Sequence, residues 1–421
     1  MPFLPDAVAS ILAQRGVALE LIAVDDGSTD GSGEWLRSCA AALEEQTTRC
    51  GSSAYDDVVA NAALLPWAVG GEPLSAVEAA SRASPGTRLR VLSVSAPAGL
   101  SGQGLALNEA FLASRGAFVG EMESDDVRPP HAFAFLRQAL DAHPEWHAAS
   151  SCVALGGWPR EGMQRWIDWQ NGVGCGGAAE LAANRFVEIP AQRASCLFRR
   201  TALESLGRRP YRDLWHTTEG LVDAAAGNNP PVVDASLPGW WPVDTDFFGR
   251  WFDKGLVCGK VNEPLFVWRQ YPTQSTRTHS RCDQARQQRG GVRGCPPHTI
   301  KILVFPTKIF TSALQARLRA AKAHFLAAPG GPACLARDSG RFVQLWGCGK
   351  TLGLWAAALE AEGVAVLPID WRPGEAPPRA ACAPSPCCVA RLFAFGMERA
   401  RAKVRATAPG GFNEPHDVWV A

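Results

Sequence analysis

The sequence lacks an apolar run of about 18 residues, the length that a membrane-spanning helix needs. It also lacks the charged and apolar N-terminal pattern of a signal peptide. The first absence argues against a membrane protein, and the second argues against secretion. We therefore expect a soluble, cytoplasmic protein without a membrane partner.

The chain also lacks an excess of charge of either sign, since its 421 residues carry a formal net charge of +1 at pH 7. Such a balance provides no overall field that would favour nucleic acid. Locally, however, the segment from Gln284 to Arg337 holds nine Lys or Arg residues and no Asp or Glu. A block of this kind can be a patch for a polyanion, although a solvated linker is commoner.

The cysteines lack the spacing of a metal site or a disulfide framework. The sequence has 13 of them, an odd number, at irregular intervals and without a CxxC pair. Cys382, Cys387 and Cys388 lie close together but do not have zinc-ligand spacing. We expect these thiols to be reduced.

What the sequence does contain is a pattern typical of an α/β fold. Short apolar runs, among them Leu19–Val24, Arg90–Val94 and Phe118–Met122, alternate with segments of helical periodicity. This alternation predicts βαβ units and a mainly parallel sheet flanked by helices. The length predicts more than one domain, and no internal repeat is evident.

We predict three parts along the chain. Residues 1–271 would form the main domain, 272–340 a basic linker or helical region, and 341–421 a smaller C-terminal α/β unit. Residues 46–88 are rich in Gly, Ser, Ala and Pro and predict an inserted surface loop.

Acidic side chains follow two of the predicted strands. Asp25 and Asp26 come after the first strand, and Glu123, Asp125 and Asp126 come after the third. Ligands of parallel α/β sheets bind at the carboxyl ends of strands, so both loops should lie at one edge, at the ends of neighbouring strands. The simpler alternative is a helix cap for the first loop and a turn for the second.

Two such loops suit a nucleotide-sugar donor. The imide N–H of a base requires a carboxylate acceptor, which Asp26 could supply. The diphosphate requires a hard divalent cation with oxygen ligands, Mn²⁺ or Mg²⁺, and Asp125 and Asp126 could hold it. Such a cation neutralises the charge on the leaving diphosphate.

The stretch VDDGSTDGS and the later strand that ends in SDD resemble the GT-A fold of glycosyltransferase family two. The resemblance implies a metal-dependent inverting hexosyltransferase that uses a UDP-sugar. It implies that Asp26 binds the uracil, with Asp25 beside it in the donor site. It also implies that Asp125 and Asp126 bind the ribose and the metal. Glu123 stands where many members have Asp, which keeps the charge.

The resemblance extends to further donor-binding residues. The run GQGLALN resembles a glycine-rich family segment and implies donor contacts for Gly104 and Asn108, although Leu107 replaces the usual basic residue. The stretch VWRQYP resembles a family segment of the Tyr-Arg-x-His type. Arg269 is retained there as a donor-binding residue, and Tyr271 stands in place of the His.

An inverting transfer also needs a base that takes the proton of the acceptor hydroxyl. In the family this carboxylate lies ahead of an apolar helix, and Asp244 occupies that place, with Asp246 as the alternative. The alternative is a non-catalytic helix N-cap, which would also explain an acidic residue before FFGRWF.

Family members begin with a strand under the uracil, ahead of a helix that corresponds to Leu4–Gln14. Since the sequence begins at Met1, we expect this strand to be missing, either through an incomplete gene model or in a degraded member.

The enzymatic alternatives are a glycan- or protein-directed transferase and a nucleotidyltransferase. The non-enzymatic alternative is an inactive family member that acts as a binding protein.

The segment QLWGCGKTLGLWAAALEAEGVAVLPID and the final EPHDVWVA resemble the tail of proteins named β-1,3-N-acetylglucosaminyltransferase-like. This resemblance implies UDP-galactose as the donor and queuosine in transfer RNA as the acceptor. The GCGK loop invites comparison with a phosphate loop, but it lacks the GxxxxGK[ST] spacing. We expect a tight turn from strand to helix there.

Overall fold

The computed structural model describes residues 3–47, 74–94, 103–159, 161–211, 243–272, 274, 312–328, 333–336, 341–372, 375, 388–394, 404, 406 and 417–419. In these ranges the chain is a mixed α/β protein with parallel sheets flanked by helices, as the sequence predicts. Within these ranges no helix is long and apolar enough to cross a membrane.

The described secondary structure alternates between helices and strands. The helices are α1 Leu4–Leu12, α2 Ser32–Thr47, α3 Ala76–Ser81, α4 Gln103–Ala113, α5 Ala132–Ala142, α6 Glu161–Gly172, α7 Ala178–Asn184, α8 Arg200–Ser205, α9 Val243–Asp253, α10 Ser312–Ala327 and α11 Gly349–Glu360, with 3₁₀ turns at Arg193–Ser195 and Cys334–Ala336. The strands are β1 Glu20–Asp25, β2 Arg88–Ser93, β3 Phe118–Gly120, β4 Ala148–Gly157, β5 Leu197–Arg199, β6 Cys258–Gln270, β7 Phe342–Gly347, β8 Val366–Asp370, β9 Cys388–Phe393 and β10 Asp417–Trp419.

The strands form three hydrogen-bonded sheets. β1 pairs with β2 in parallel, and the order β10-β9-β7-β8 forms an all-parallel sheet. The third sheet has the order β3-β5-β4-β6, in which β4 and β6 are parallel and β5 is antiparallel to both of its neighbours. The sequence predicted that the two acidic loops follow neighbouring strands. This prediction is wrong, because β1 pairs with β2 whereas β3 pairs with β5.

One hydrophobic core nevertheless connects these two sheets. Ile11 of α1 and Phe133 and Leu136 of α5 are buried in it, and Leu21 of β1 and Phe118 of β3 pack against the same cluster. Both acidic loops thus extend from strands that share one apolar layer.

The prediction of a surface loop at 46–88 is wrong at its ends. α2 continues to Thr47, and the helix α3 starts after Ser75, whereas residues 48–73 lie outside the described part. A capping box defines the start of α3: the Ser75 hydroxyl accepts from the Glu78 N–H at 3.2 Å, and the Glu78 carboxylate accepts from the Ser75 N–H at 2.8 Å. The Ser-x-x-Glu spacing was the sequence signal for this helix.

The described part of the basic region, residues 312–328 and 333–336, contains a packed helix. α10 contributes Phe325 and Leu326 to the core of the C-terminal unit, where they join Leu345 of β7 and Trp355 of α11. Lys322 of α10 is 3% exposed, and its ammonium donates to the Val187 carbonyl at 2.8 Å. This cation is therefore not available to a polyanion.

The GCGK loop is the tight turn that we expected. β7 ends at Gly347 and α11 begins at Gly349, so only Cys348 separates the two elements. Gly349 has φ +59°, a left-handed conformation in which glycine avoids a steric penalty.

Candidate active site

The second acidic loop is anchored to the end of β6. Val127 forms an antiparallel bridge with Val267, with N–H···O distances of 3.3 and 2.9 Å. One step further along, the Asp126 carboxylate accepts the Arg269 backbone N–H at 2.8 Å. Asp126 is 1% exposed, so its carboxylate is part of the packed structure as well as of the candidate site.

Asp125 lies in a more open position than Asp126. It is half-buried, and its Oδ2 accepts the Tyr271 hydroxyl at 2.9 Å. Burial, followed by the charge of Asp125, raises the pKa of Tyr271, which therefore remains a proton donor. Tyr271 also packs against Phe3 with ring centroids 4.3 Å apart. Tyr271 thus orients one of the predicted metal ligands.

Arg269, predicted to bind the donor, is directed towards α1 in the structure. Its guanidinium lies 3.5 Å from the Asp6 carboxylate and 5.5 Å from the centre of the Phe3 ring. Burial lowers the pKa of Arg269, and the charge of Asp6 opposes this shift. The position of Arg269 in the structure fits a support behind the acidic loop.

Asp244 reaches the same region from the start of α9. Its Oδ1 lies 3.0 Å from Nε of Arg193, and Glu121 Oε2 lies 3.1 Å from the same nitrogen. Glu121 follows β3 directly, so Arg193 joins the predicted base to the acidic loop. The side chain of Asp244 is 34% exposed.

The alternative base, Asp246, lies in a different environment. Its side chain is 1% exposed, and its Oδ2 accepts from Nε of Arg250 at 2.8 Å. The exposure of Asp244 makes it the better placed of the two for contact with an acceptor.

The carboxylates of this region repel one another. Burial raises the pKa of Glu123 to about 7; Arg193 opposes this shift, and Asp125 and Asp244 add to it. Burial, with help from Asp125, also raises the pKa of Asp126 well above its ordinary value. For Arg193, burial would lower the pKa, but the nearby carboxylates raise it. A cation bound at this edge would relieve the excess of negative charge.

The donor set suits a hard cation that is shared with a substrate. Among the described residues, no group of three or more His, Cys, Asp or Glu is arranged to hold a metal ion. Mg²⁺ and similar ions are often held by one or two carboxylates, with substrate phosphates and water in the other positions. Asp125 and Oδ2 of Asp126 fit that incomplete set, since Oδ1 of Asp126 is taken by the Arg269 N–H.

The first acidic loop turns back onto α2. Asp25 accepts the Ser28 N–H at 3.0 Å, and Asp30 accepts the Ser32 N–H at 3.1 Å. A Cβ atom at Gly33 would lie 2.1 Å from Asp25 Oδ2, so the carboxylate packs directly on the helix start. Asp25 therefore closes the turn after β1, whereas Asp26 is half-buried directly after that strand.

Two further predicted donor-binding residues are buried. Asn108 is 2% exposed; its side-chain amide donates to the Tyr211 carbonyl at 2.7 Å and accepts from the Tyr211 N–H at 3.1 Å. Gly104 is buried near the start of α4. In the structure, Asn108 serves to hold Tyr211, and the Tyr211 ring lies 5.2 Å from the Arg193 guanidinium.

Sequence reasoning missed three residues of this site: Glu121, Arg193 and Tyr211. Glu121 had a weak signal, because it precedes Glu123 by two positions in an acidic run. Arg193 and Tyr211 had none, since neither lies in an acidic motif or beside a predicted strand end. Only the fold brings them to Asp244.

No protein-family model matches the chain, and no curated protein matches it. Solved structures overlap with it weakly. S. aureus TarS 1-349 in complex with UDP is 12% identical with a TM-score of 0.33, covering 64% of this chain and 57% of that one. Mannosyltransferase PcManGT from Pyrobaculum calidifontis, in complex with GDP-Man and Mn²⁺, is 17% identical with a TM-score of 0.37, covering 77% and 68%. The match therefore spans little more than half of TarS 1-349. Similarity at this level establishes neither family nor function.

Proposed function

We propose that this protein is a metal-dependent, inverting glycosyltransferase that moves a sugar from a UDP-sugar to a hydroxyl acceptor. The observation that carries the proposal is that Asp244 meets Glu121 at Arg193, and Glu121 is the first carboxylate of the acidic segment that continues to Asp126. A base and a set of cation-binding carboxylates at one sheet edge are what such a transfer requires.

Each residue of the site has a proposed role. Asp125 and Asp126 would hold a Mn²⁺ or Mg²⁺ ion, which would offset the charge of the leaving diphosphate. Asp26 accepts the imide N–H of uracil. Asp244 takes the proton of the acceptor hydroxyl as the hydroxyl oxygen attacks the anomeric carbon. The bond from this carbon to the diphosphate breaks on the opposite side, so the configuration inverts.

Calorimetric titration with UDP in the presence and absence of Mn²⁺ tests donor binding, and a panel of nucleotide sugars tests transfer. We expect UDP to bind only with the metal and UDP-galactose to be a substrate.

Asp244→Asn should lower kcat about 100-fold and leave UDP affinity nearly unchanged. In the control, Asp246→Asn should lower stability and keep turnover per folded molecule. If UDP bound equally well with and without Mn²⁺ and no donor supported transfer, a binding protein would be the better description.

For the acceptor, we propose queuosine in transfer RNA, as the resemblance of the C-terminal segment implies. The basic stretch Gln284–Arg337 would contact phosphates without reading sequence. Lys322 is buried, so the contacts fall to other cations of the stretch. Arg317→Glu with Arg319→Glu should reduce the salt dependence of transfer RNA binding, measured by filter binding, without changing UDP affinity. A flat salt response in the unaltered protein would instead favour a small glycan acceptor.

A further inference from the structure

We propose that Arg193 is the positioning residue of this site, which anchors one oxygen of Asp244 so that the other can meet the acceptor hydroxyl. This inference rests on the proposed function, because it takes Asp244 as the base.

The geometry supports a fixed anchor. Asp244 Oδ1 is buried 3.0 Å from Arg193 Nε, although the side chain as a whole is 34% exposed. The accessible surface therefore lies on the rest of the side chain, and not on the anchored oxygen. An ion pair that holds the base through one oxygen restricts its orientation, which lowers the entropy lost when the acceptor reacts.

Arg193 is itself buried beside two aromatic rings. It is 2% exposed and lies in the 3₁₀ turn Arg193–Ser195. Its guanidinium lies 5.2 Å from the Tyr211 ring centre and 5.9 Å from that of Phe247. Phe247 is three residues from Asp244 on α9, so the same helix presents the base and packs against its anchor.

Glu121 shares this arginine with Asp244. Its Oε2 lies 3.1 Å from the same Nε, so two carboxylates share one cation. When both are ionised the three groups carry a net charge of −1, and Arg193 only partly neutralises Asp244. Other ionisable groups interact with this trio through their charges: Glu123 with Arg193 and Asp244, and Tyr211, Arg128 and Cys196 with Glu121.

Three substitutions separate the anchoring role from a merely structural one. Glu121→Gln leaves Arg193 with Asp244 alone, so the acidic limb of the kcat–pH profile should move down by about one unit. Arg193→Met removes the cation between two carboxylates, so the limb should move up by about one unit. Arg193→Lys keeps the charge but loses the planar geometry, so kcat should fall about tenfold or more with the limb in place.

The neighbouring ion pair on α9 provides the control. Asp246 and Arg250 are 2.8 Å apart, and both side chains are largely buried. Arg250→Lys should lower Tm but leave the acidic limb and kcat unchanged. Circular dichroism and UDP affinity verify that each variant is folded. If Arg193→Met does not fold, Glu121→Gln and Arg193→Lys still test the anchoring role of Arg193.

A Glu121→Gln variant whose limb stays in place or moves up, or an Arg193→Lys variant with normal kcat, would overturn the role of Arg193. Either result in an active enzyme leaves the proposed function intact. A carbon NMR titration of the Asp244 carboxylate, assigned with Asp244→Asn, reports the same two opposite shifts without any turnover. Failure of sugar transfer in the unaltered protein is therefore distinguishable from failure of this inference.

Discussion

Adjacent residues of the acidic loop do different work. Asp126 is buried and accepts the Arg269 N–H, whereas Asp125 is half-buried and accepts the Tyr271 hydroxyl. Loss of a carboxylate at either position removes a proposed metal ligand. Only at Asp126 does it also leave a buried backbone donor without its partner.

We therefore expect Asp126→Ala to lower the free energy of unfolding by about 1–3 kcal/mol, the usual effect of stranding a buried hydrogen-bonding group. Asp125→Ala should lower it by less than about 1 kcal/mol, and both variants should lose metal-dependent UDP binding. Urea denaturation and calorimetry measure the two effects. An Asp126→Ala protein as stable as the wild type would show that the contact with Arg269 is unimportant.

Glu123 makes stability depend on pH. Its pKa is about 7 in the folded protein and 4.5 without the fold's influence. A raised pKa means that the folded state holds its proton more tightly, so the associated stability is full below pH 4.5 and is lost as pH rises through about 7.

At about 1.4 kcal/mol per pKa unit, the change across this window is at most about 3.5 kcal/mol. Glu123→Gln should remove it, so the variant should gain stability relative to the wild type on going from pH 4.5 to pH 8. Urea denaturation at the two pH values measures the gain. A difference between variant and wild type that is the same at both values would contradict the assignment.

At the scale of elements, short helices depend on their caps. α3 has only six residues, and its first turn is closed by the reciprocal hydrogen bonds of Ser75 and Glu78. Two of its residues, Ala79 and Ala80, are fully buried in the core that β1 and α1 share. The cap thus supports the packing beneath the first acidic loop.

Ser75→Ala should lower the free energy of unfolding by about 1 kcal/mol, because it removes the hydroxyl acceptor of the capping box. Val77→Ala, at a side chain that is 62% exposed on the same helix, should have little effect. Chemical denaturation compares the two. Equal stability of both variants would mean that tertiary packing alone holds α3 in place.

At the scale of the whole molecule, α10 connects the C-terminal unit to the part that carries the candidate site. Gly249 of α9 lies against the Phe325 ring of α10, and a Cβ atom added there would be 2.3 Å from a ring carbon. Phe325 also belongs to the core of the β7–β10 sheet. The two parts therefore meet through a close contact that only glycine permits.

Gly249→Ala should destabilise this contact by about 1–3 kcal/mol through overpacking. Gly353→Ala is the matched control, since no atom lies within 4 Å of its Cβ position in α11. It should raise stability by about 0.5–1 kcal/mol, the usual gain in a helix interior. Thermal denaturation and limited proteolysis between α9 and α11 would measure both effects, and a neutral Gly249→Ala would indicate that Phe325 moves aside freely.

By itself the sequence determined the α/β class, most of the strands around the acidic loops and the identity of Asp125, Asp126 and Asp244 as candidates. These follow from local signals: strands and helices from the spacing of apolar residues, and candidate sites from acidic runs after strands. The helix α3 was within reach of the same kind of signal, its capping box, and was missed only because the surrounding composition suggests a loop.

The tertiary structure decided which polar side chains are exposed and which form hydrogen bonds within the protein, because most of these bonds join distant segments. Oδ1 of Asp126 accepts the Arg269 N–H, and Asp25 accepts the Ser28 N–H. Asn108 accepts the Tyr211 N–H. Arg193 has no local motif, and its role exists only because the fold brings Glu121 and Asp244 to one nitrogen. Periodicity and spacing report which face of an element is buried, whereas the partner of a buried charge is fixed by packing between elements.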